Sequence, residues 1–236
     1  MFNDILKEQA EKSNIELTQK QMEDFTRYYE LLVEWNEKMN LTALTDETDV
    51  ALKHFCDSVL LLKYADIPEN SSLIDVGTGA GFPSVPLKIM RPDMKLCLLD
   101  SLNKRLVFLK EVVKELNLQN VEIVHSRAED GAKNPKLREQ FDFATSRAVA
   151  QLNVLTEYCL PYVKVGGSFL AMKGKYSEEE IANAKCAIKT LGGKTQKVST
   201  YNLADSSERT IINVKKVANT DKKYPRTSAK IKAKPL

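Results

Sequence analysis

The first candidate for chemistry is a glycine-rich turn. Residues 73–83 read LIDVGTGAGFP, an apolar run that leads into a carboxylate, three alternating glycines and a proline. Glycine permits positive φ and lets a ligand approach the backbone closely, and Pro83 suits the first position of a helix, whose N-terminus can face that ligand. The pattern predicts a strand, a ligand-binding turn at Gly77, Gly79 and Gly81, and then a helix.

Two side chains in the turn indicate the kind of ligand. The dinucleotide fingerprint G-x-G-x-x-G would need a third glycine at position 82, where Phe82 stands. Asp75 would sit poorly beside a pyrophosphate, but it suits a cofactor with an ammonium and a sulfonium, such as S-adenosylmethionine. An NAD-linked oxidoreductase is therefore the less favoured interpretation. Phe82 packs either on the cofactor or in the core.

Polar residues also mark the ends of three later apolar runs. In a doubly wound sheet the ligand lies across the carboxyl ends of the strands. Asp100 can accept hydrogen bonds from a ribose, or cap the next helix. Ala128 and Glu129 lie where backbone amides could bind an adenine edge. Arg147 either holds the cofactor carboxylate, contacts the substrate, or pairs with an acid such as Asp142.

Other residue types narrow the chemistry further. Lys173, which ends another apolar run, has the same alternatives as Arg147. His54 and His125 are expected to be structural or surface histidines rather than bases. The four cysteines are far apart and form no C-x-x-C motif, so the sequence predicts reduced thiols and no metal site.

The composition predicts a globular protein of the cytosol. With 236 residues and 43% hydrophobic residues, the chain can form one large domain with or without a small appendage. No apolar run approaches the length of a membrane span, and the start of the chain is charged. Residues 219–236 hold six Lys and Arg against Asp221 alone, which predicts a flexible tail that either contacts phosphates or only aids solubility.

The apolar spacing predicts the elements that position these residues. A capping box at Thr18 starts a long helix that reaches Met39, and Thr45 or Asp46 caps a second helix that ends before Pro68. Strands are predicted at 72–77, 95–100, 121–125, 141–146, 167–173, 195–202 and 210–217, with a polar loop between the third and the fourth. Helices are predicted at 83–90, 102–116, 151–160 and 178–190, and a capping box of Ser177 and Glu180 starts the last of them. This order predicts an α/β fold with a seven-stranded, mostly parallel sheet, helices on both faces and an antiparallel last pair.

Several separated motifs resemble one known family. They are residues 75–83, DSLNKR at 100–105, SRA at 146–148, AMKG at 171–174, and upstream WN at 35–36, NLT at 40–42 and HFCDS at 54–58. Together these motifs, which span nearly the whole chain in order, are similar to those of the ribosomal small subunit methyltransferase G family, formerly called glucose-inhibited division protein B.

The resemblance implies a class I, Rossmann-like S-adenosylmethionine-dependent enzyme that methylates N7 of one guanine in the 530 loop of bacterial 16S rRNA. The predicted organisation is a helical segment (1–66) packed on a methyltransferase domain (67–218), followed by the basic tail (219–236). The expected cofactor-binding residues are Asp75, Gly77, Gly79, Gly81, Phe82, Asp100, Ala128, Glu129 and Arg147. A methyltransferase that acts on a small molecule or a protein remains an alternative.

The implied reaction needs no general base, because guanine N7 has a free lone pair and no proton. Arg147 and Lys173 are therefore expected to position the reactants. The residues expected to contact RNA phosphates are Lys104, Arg105, Lys222, Lys223 and Arg226. The expected partner is 16S rRNA or the small-subunit particle, bound by a monomer without a membrane or a metal.

Overall fold

The computed structural model describes residues 2–147 and 150–236, so Met1 and Ala148, the last residue of the SRA motif, lie outside the described residues. The α-helices are α1 (Phe2–Lys12), α2 (Gln19–Met39), α3 (Glu47–Val50), α4 (Asp57–Tyr64), α5 (Ser84–Met90), α6 (Asn103–Glu115), α7 (Ala128–Gly131), α8 (Leu152–Cys159), α9 (Glu178–Thr190) and α10 (Ser228–Ala233). A π-helical turn (Ala51–Cys56) joins α3 to α4, and a 3-10 turn (Leu160–Tyr162) follows α8.

The sheet has seven strands, as the sequence predicts. They are β1 (Ser72–Val76), β2 (Lys95–Asp100), β3 (Val121–His125), β4 (Phe141–Arg147), β5 (Val163–Lys173), β6 (Gly193–Asn202) and β7 (Glu208–Lys216). Their spatial order is β3-β2-β1-β4-β5-β7-β6, and β7 runs antiparallel to both of its neighbours. The strand order reverses between β1 and β4, which places a ligand crevice outside their carboxyl ends.

The strands form where consecutive apolar residues can be buried on both faces of the sheet. In β2, Leu96 and Leu98 join one core with the N-terminal helices, α5 and α6. Cys97 and Leu99 join a second core with α8 and α9 on the opposite face. This alternation explains why a continuous apolar run, rather than a half-polar one, forms a central parallel strand.

The helices begin at the predicted caps. Thr18 Oγ1 accepts a bond from the Gln21 amide at 3.3 Å, and the Gln21 side chain accepts one from the Thr18 amide at 2.9 Å, which completes the capping box of α2. Asp46 caps the helical run from α3 through α4 by accepting a bond from the Asp49 amide at 2.9 Å. Among the described residues, no helix is both long and apolar enough to cross a membrane.

The N-terminal helices pack directly on the glycine turn. Tyr28 of α2 is fully buried, and its hydroxyl donates a hydrogen bond to the Ala80 carbonyl. Its ring stacks on that of Phe82 with the centroids 5.1 Å apart. Gly81 has a φ of +99°, and a Cβ there would lie 2.6 Å from Tyr28 Oη. The packing of α2 therefore requires glycine at position 81.

The C-terminal segment (residues 219–236) differs from its predicted flexible state. It contains helix α10, and Ile231 on that helix is fully buried. Arg226 pairs with the buried Glu157 of α8 through a contact of 2.6 Å. The basic composition indicated a solvated tail, whereas an acid far away in the sequence provides a partner for one of its charges.

Replacing Gly81 with alanine is expected to destabilise the protein by about 2–4 kcal/mol, because the new Cβ collides with Tyr28 and the residue must keep a positive φ. Urea unfolding measured by circular dichroism tests this. The matched control is Gly174→Ala, since a Cβ at Gly174 meets no atom within 4 Å and its φ is not positive. Equal stability of the two variants would contradict the described packing.

Candidate active site

The carboxyl ends of the four strands that were predicted to bind a ligand border one cavity. Its volume is about 600 Å³, and its lining includes Gly77 after β1, Asp100 of β2, Ala128 after β3 and Ser146 of β4. This volume lies in the range of ligand pockets, roughly 300–1,000 Å³. A larger groove of about 980 Å³ lies between α1 and α2, where no strand ends. We assign the candidate site to the smaller cavity, because the residues at the strand ends line it.

The three glycines of the turn serve different purposes. All have positive φ, +76° at Gly77, +61° at Gly79 and +99° at Gly81. Gly77 lines the cavity, and a Cβ at Gly79 would meet no atom within 4 Å, so this part of the turn is open to a ligand. Gly81 faces Tyr28 in the core instead. The structure therefore places only part of the predicted glycine set where a ligand can approach.

Phe82 belongs to an aromatic cluster. It is 6% exposed and stacks on Tyr28 and on His54, with ring centroids 5.1 Å and 4.7 Å away. Phe55 meets it edge to face at 5.2 Å, and the guanidinium carbon of Arg147 lies 5.3 Å from the ring centroid. Of the two alternatives for Phe82, the structure places the side chain in the core.

Asp75 lies beneath the turn, not on the surface of the cavity. Its side chain is fully buried, and Thr78 Oγ1 donates to its Oδ2 at 3.0 Å. Among the residues that the structure describes, no donor forms a hydrogen bond of good geometry with its other oxygen, Oδ1, although the Ser84 hydroxyl lies near enough to favour the ionised form. Burial raises the pKa of the Asp75 carboxyl to about 7. A buried carboxyl with one free oxygen would be stabilised in its ionised form by a nearby cation.

Asp100 fixes the turn that follows β2. Its Oδ2 accepts bonds from the Gly79 amide at 3.0 Å and from Arg105 Nη1 at 3.3 Å, and its Oδ1 accepts one from the Leu102 amide at 2.8 Å. Because each carboxylate oxygen can accept two bonds, Oδ1 retains capacity for a ligand hydroxyl. The two alternatives for Asp100, a structural cap and a ribose contact, are therefore compatible.

Ala128 and Glu129 start a short helix, α7, where the sequence predicted a loop. Both line the cavity. The Ala128 carbonyl accepts a bond from the Tyr162 hydroxyl at 2.6 Å, which fixes this corner. The first amides of a helix have no carbonyl partner within it, so these amides can donate to a ligand.

Arg147 is directed towards the N-terminal helices and away from the cavity lining. Its Nη1 donates to the Lys53 carbonyl at 3.0 Å and to Asp57 Oδ2 at 3.3 Å, and its Nη2 lies 3.1 Å from His54 Nδ1. The sequence suggested Asp142 as the structural partner of this arginine. In the structure that partner is Asp57, and Asp142 pairs with Lys164 at 2.5 Å instead.

Asp57 connects three parts of the chain. It is 3% exposed and, besides Arg147 of β4, it accepts a bond from the Tyr201 hydroxyl of β6 at 2.9 Å and lies 3.5 Å from Arg209 Nε of β7. No role of its own was predicted for Asp57 from the sequence. The available signal was its place in the HFCDS motif at 54–58.

His54 is held as a neutral ring. Burial and the nearby Arg147 guanidinium lower the pKa of His54 to about 3. Because Arg147 donates to Nδ1, the ring proton belongs on Nε2, which lies 2.9 Å from Thr42 Oγ1. Both ring nitrogens therefore have partners, which agrees with the expectation that His54 is a structural histidine.

Lys173 ties the end of β5 to its neighbours. Its Nζ pairs with Glu180 Oε1 at 2.7 Å and donates to the Ala150 carbonyl at 2.8 Å. Ser177 caps α9 by accepting a bond from the Glu180 amide at 3.1 Å, as predicted. The Glu180 carboxylate, which the capping-box interpretation assigned to the Ser177 backbone, bonds to Lys173.

Two of the predicted RNA contacts have structural partners beside the site. Lys104 Nζ donates to the Met39 carbonyl at the end of α2, at 2.9 Å. Arg105 pairs with Asp100 at 3.3 Å and lines the cavity. Both cations help to hold the framework, and no sequence pattern indicates these partners.

The predicted contacts of the C-terminal segment divide into two kinds. Arg226 forms the ion pair with Glu157. Lys222 and Lys223 are exposed, and Lys223 lies 3.2 Å from the equally exposed Asp221. Exposed pairs of this kind are weak in water, so the two lysines keep most of their charge available to solvent.

The described residues include no group of three or more His, Cys, Asp or Glu that could hold a metal ion. All four cysteines are free thiols; Cys56, Cys97 and Cys159 are buried, and Cys186 is exposed.

The fold is similar to that of solved methyltransferases. A SAM-dependent methyltransferase from Aquifex aeolicus matches with a TM-score of 0.53 and 19% identity, over 74% of this chain and 96% of that protein. TYW2 from M. jannaschii, solved in complex with AdoMet, matches with a TM-score of 0.52 and 15% identity, over 63% and 70%. At these identities the likeness shows the class I, Rossmann-like methyltransferase fold that the sequence predicted.

Sequence relatives give the family. The family model of rRNA small subunit methyltransferase G matches residues 21–212. A ribosomal RNA small subunit methyltransferase G of Clostridium beijerinckii is 50% identical over 100% of this chain and 99% of its own length. One of Staphylococcus aureus is 53% identical over 94% and 92%. These matches confirm the resemblance seen in the motifs, and the chain belongs to the rRNA small subunit methyltransferase G family.

Proposed function

We propose that this protein transfers the methyl group of S-adenosylmethionine to N7 of one guanine in the 530 loop of bacterial 16S rRNA, presented by the free RNA or by the small-subunit particle. The observation that carries the proposal is the match to ribosomal RNA small subunit methyltransferases G along the whole chain. The cavity at the strand-order reversal supports it, because a cofactor of this fold class binds there.

The residues around the cavity fit this cofactor. Asp75 has a buried oxygen without a partner among the described residues, and Gly79 leaves open space above the turn. A cationic group bound beside Gly77 would favour the ionised form of Asp75, which lies beneath the turn, by electrostatic attraction. Asp100 would hold the ribose, and the amides at Ala128 and Glu129 would hold the adenine. When bound, the cofactor supplies an electrophilic methyl group on a sulfonium.

The protein contributes position and charge rather than proton transfer. Guanine N7 carries a lone pair and no proton, and His54, with both nitrogens engaged, is not needed as a base. Alignment of reacting groups is worth up to about 7–11 kcal/mol in favourable intramolecular cases. Methylation leaves the guanine positively charged. The positive charge of Arg147 would repel the methylated guanine, but two features weaken this repulsion. The Asp57 carboxylate partly neutralises the guanidinium, and the Arg147 side chain faces the N-terminal helices.

RNA recognition would use exposed cations and an accessible base. Lys222 and Lys223 are exposed and suited to sequence-independent phosphate contacts. Duplex RNA hides guanine N7 in a deep, narrow groove, so the target base must be unstacked in a folded loop. Lys104, Arg105 and Arg226 could add to the local positive potential while they hold their structural partners.

The test of the proposed function is a map of N7-methylguanine in small-subunit rRNA. Cells without the protein should lack one methylated guanine in the 530 loop, and the purified protein with S-adenosylmethionine should restore it. An identical map with and without the protein would overturn the proposal. Methyl transfer to a small molecule or a protein but not to RNA would favour the alternative methyltransferase, and calorimetric binding of NAD instead of S-adenosylhomocysteine would favour an oxidoreductase.

The affinity for S-adenosylhomocysteine, which keeps the ammonium, should rise about tenfold between pH 6 and pH 8. The reason is that Asp75, whose pKa is about 7, must be ionised to attract the ammonium group. The ionised fraction of Asp75 rises about tenfold between pH 6 and pH 8. Titration calorimetry at both pH values measures this. Asp75→Asn should bind more weakly at pH 8 and show no such dependence. A flat profile for the wild-type protein would remove Asp75 from the ammonium site.

The pair of Arg147 and Asp57 should act as one unit. Arg147→Ala and Asp57→Asn are each expected to lower kcat/KM for rRNA about ten- to a hundredfold, because a small misplacement of reactants is costly. The double variant should lose no more than the worse single variant. Tyr201→Phe, which keeps the ion pair, is the matched control and should retain more activity. Additive losses would separate the two residues, and urea unfolding of each variant checks that it is folded.

A further inference from the structure

The C-terminal segment is anchored first by a buried ion pair. Glu157 of α8 is 1% exposed. Its Oε1 accepts bonds from the Arg226 amide at 2.8 Å and from Arg226 Nε at 2.9 Å, and its Oε2 accepts one from Nη2 at 2.6 Å. A buried carboxylate deprived of such a partner is strongly destabilising, so this pair opposes detachment of the segment.

Two further anchors lie nearer to the start of the segment. The Arg138 guanidinium donates to the carbonyls of Thr220 at 2.7 Å, Asp221 at 3.2 Å and Tyr224 at 2.8 Å. The Thr220 amide donates to Glu139 Oε1 at 2.8 Å. A single guanidinium that binds three carbonyls of one backbone segment fixes the path of that segment as well as its position.

These anchors deliver helix α10 to the cavity. Ile231 is fully buried against the core, and the Tyr158 hydroxyl lies 3.0 Å from Ser228 Oγ. Ser228, Lys232 and Pro235 line the same cavity as the expected cofactor residues. Lys230 and Lys232 are both exposed, but only Lys232 lies in that lining. One side of α10 therefore borders the cavity and another faces solvent away from it.

We propose that the C-terminal segment is part of the cofactor site, with α10 forming the wall over the adenosine moiety. This inference rests on the cofactor named in the proposed function. Asp100, Ala128 and Glu129, the residues assigned there to ribose and adenine, line the cavity together with Ser228 and Lys232. Adenosine bound among them meets α10 on its outer side. The segment thus reduces solvent access to the adenosine and slows its release.

The test uses single cysteines on α10 and S-adenosylhomocysteine as the probe. Cys186 is the exposed native thiol, so Cys186→Ser provides the background for Lys232→Cys and, as the matched control, Lys230→Cys. Saturating S-adenosylhomocysteine should slow maleimide labelling at position 232 at least tenfold and leave labelling at position 230 within twofold. Equal rates at position 232 with and without the probe, or equal protection at both positions, would overturn the proposal.

A shortened chain gives a second measurement. Ending the chain at Thr227 removes α10 and the bond from Arg226 Nη1 to the Lys234 carbonyl, but it keeps the bonds of Arg226 to Glu157 and those of Arg138 to the segment backbone. The expected result is a dissociation constant for S-adenosylhomocysteine raised at least tenfold, with faster release, in a protein that still unfolds cooperatively. An unchanged dissociation constant would overturn the proposal that α10 forms a wall of the cofactor site. If the wild-type protein itself does not bind S-adenosylhomocysteine, the result contradicts the cofactor of the proposed function. Binding by the wild-type protein with no effect of the shortening contradicts only the proposal about α10. If the shortened chain does not fold, the cysteine pair decides.

Discussion

The arrangement of the site depends on the buried carboxylate of Asp57. A charge that leaves water loses several kcal/mol of hydration, of the order of what a close ion pair returns, so a buried acid fixes the groups that surround it. Asp57 gathers Arg147 from β4, Tyr201 from β6 and Arg209 from β7. The N-terminal helices therefore cannot shift relative to the sheet without leaving charge unpaired. The direction of the Arg147 side chain follows from that attachment.

The glycine turn meets two constraints at once. On one side Gly77 and Gly79 border space that a ligand can occupy, and on the other side Gly81 admits the hydroxyl end of Tyr28. Tyr28 also bonds to the Ala80 carbonyl, so the core fixes the conformation of the turn. A ligand that binds at a turn already fixed in this way would lose less conformational entropy on binding.

The sequence predicted the sheet, its order of elements and the main caps, because periodicity and capping are local signals. The strand ends also predicted the position of the cavity. It did not predict the direction of Arg147, because Asp142 lies close in sequence and Asp57 lies 90 residues away. Helix α7 was missed because four residues carry too little periodicity. Which residue a charged side chain pairs with depends on the tertiary structure, and local sequence patterns do not indicate it.

The C-terminal segment shows why composition misleads at a chain end. A basic, proline-containing stretch cannot form a core of its own, and that is the physical basis for predicting disorder. Such a stretch can still dock on a core that already exists. Here Glu157 and Arg138 belong to the folded domain, and both bind the segment: Glu157 accepts bonds from Arg226, and Arg138 donates to backbone carbonyls of the segment as well as to the Ala132 carbonyl. Its six basic residues are therefore not six free charges: Arg226 holds the segment to the domain, whereas Lys222 and Lys223 are exposed to solvent.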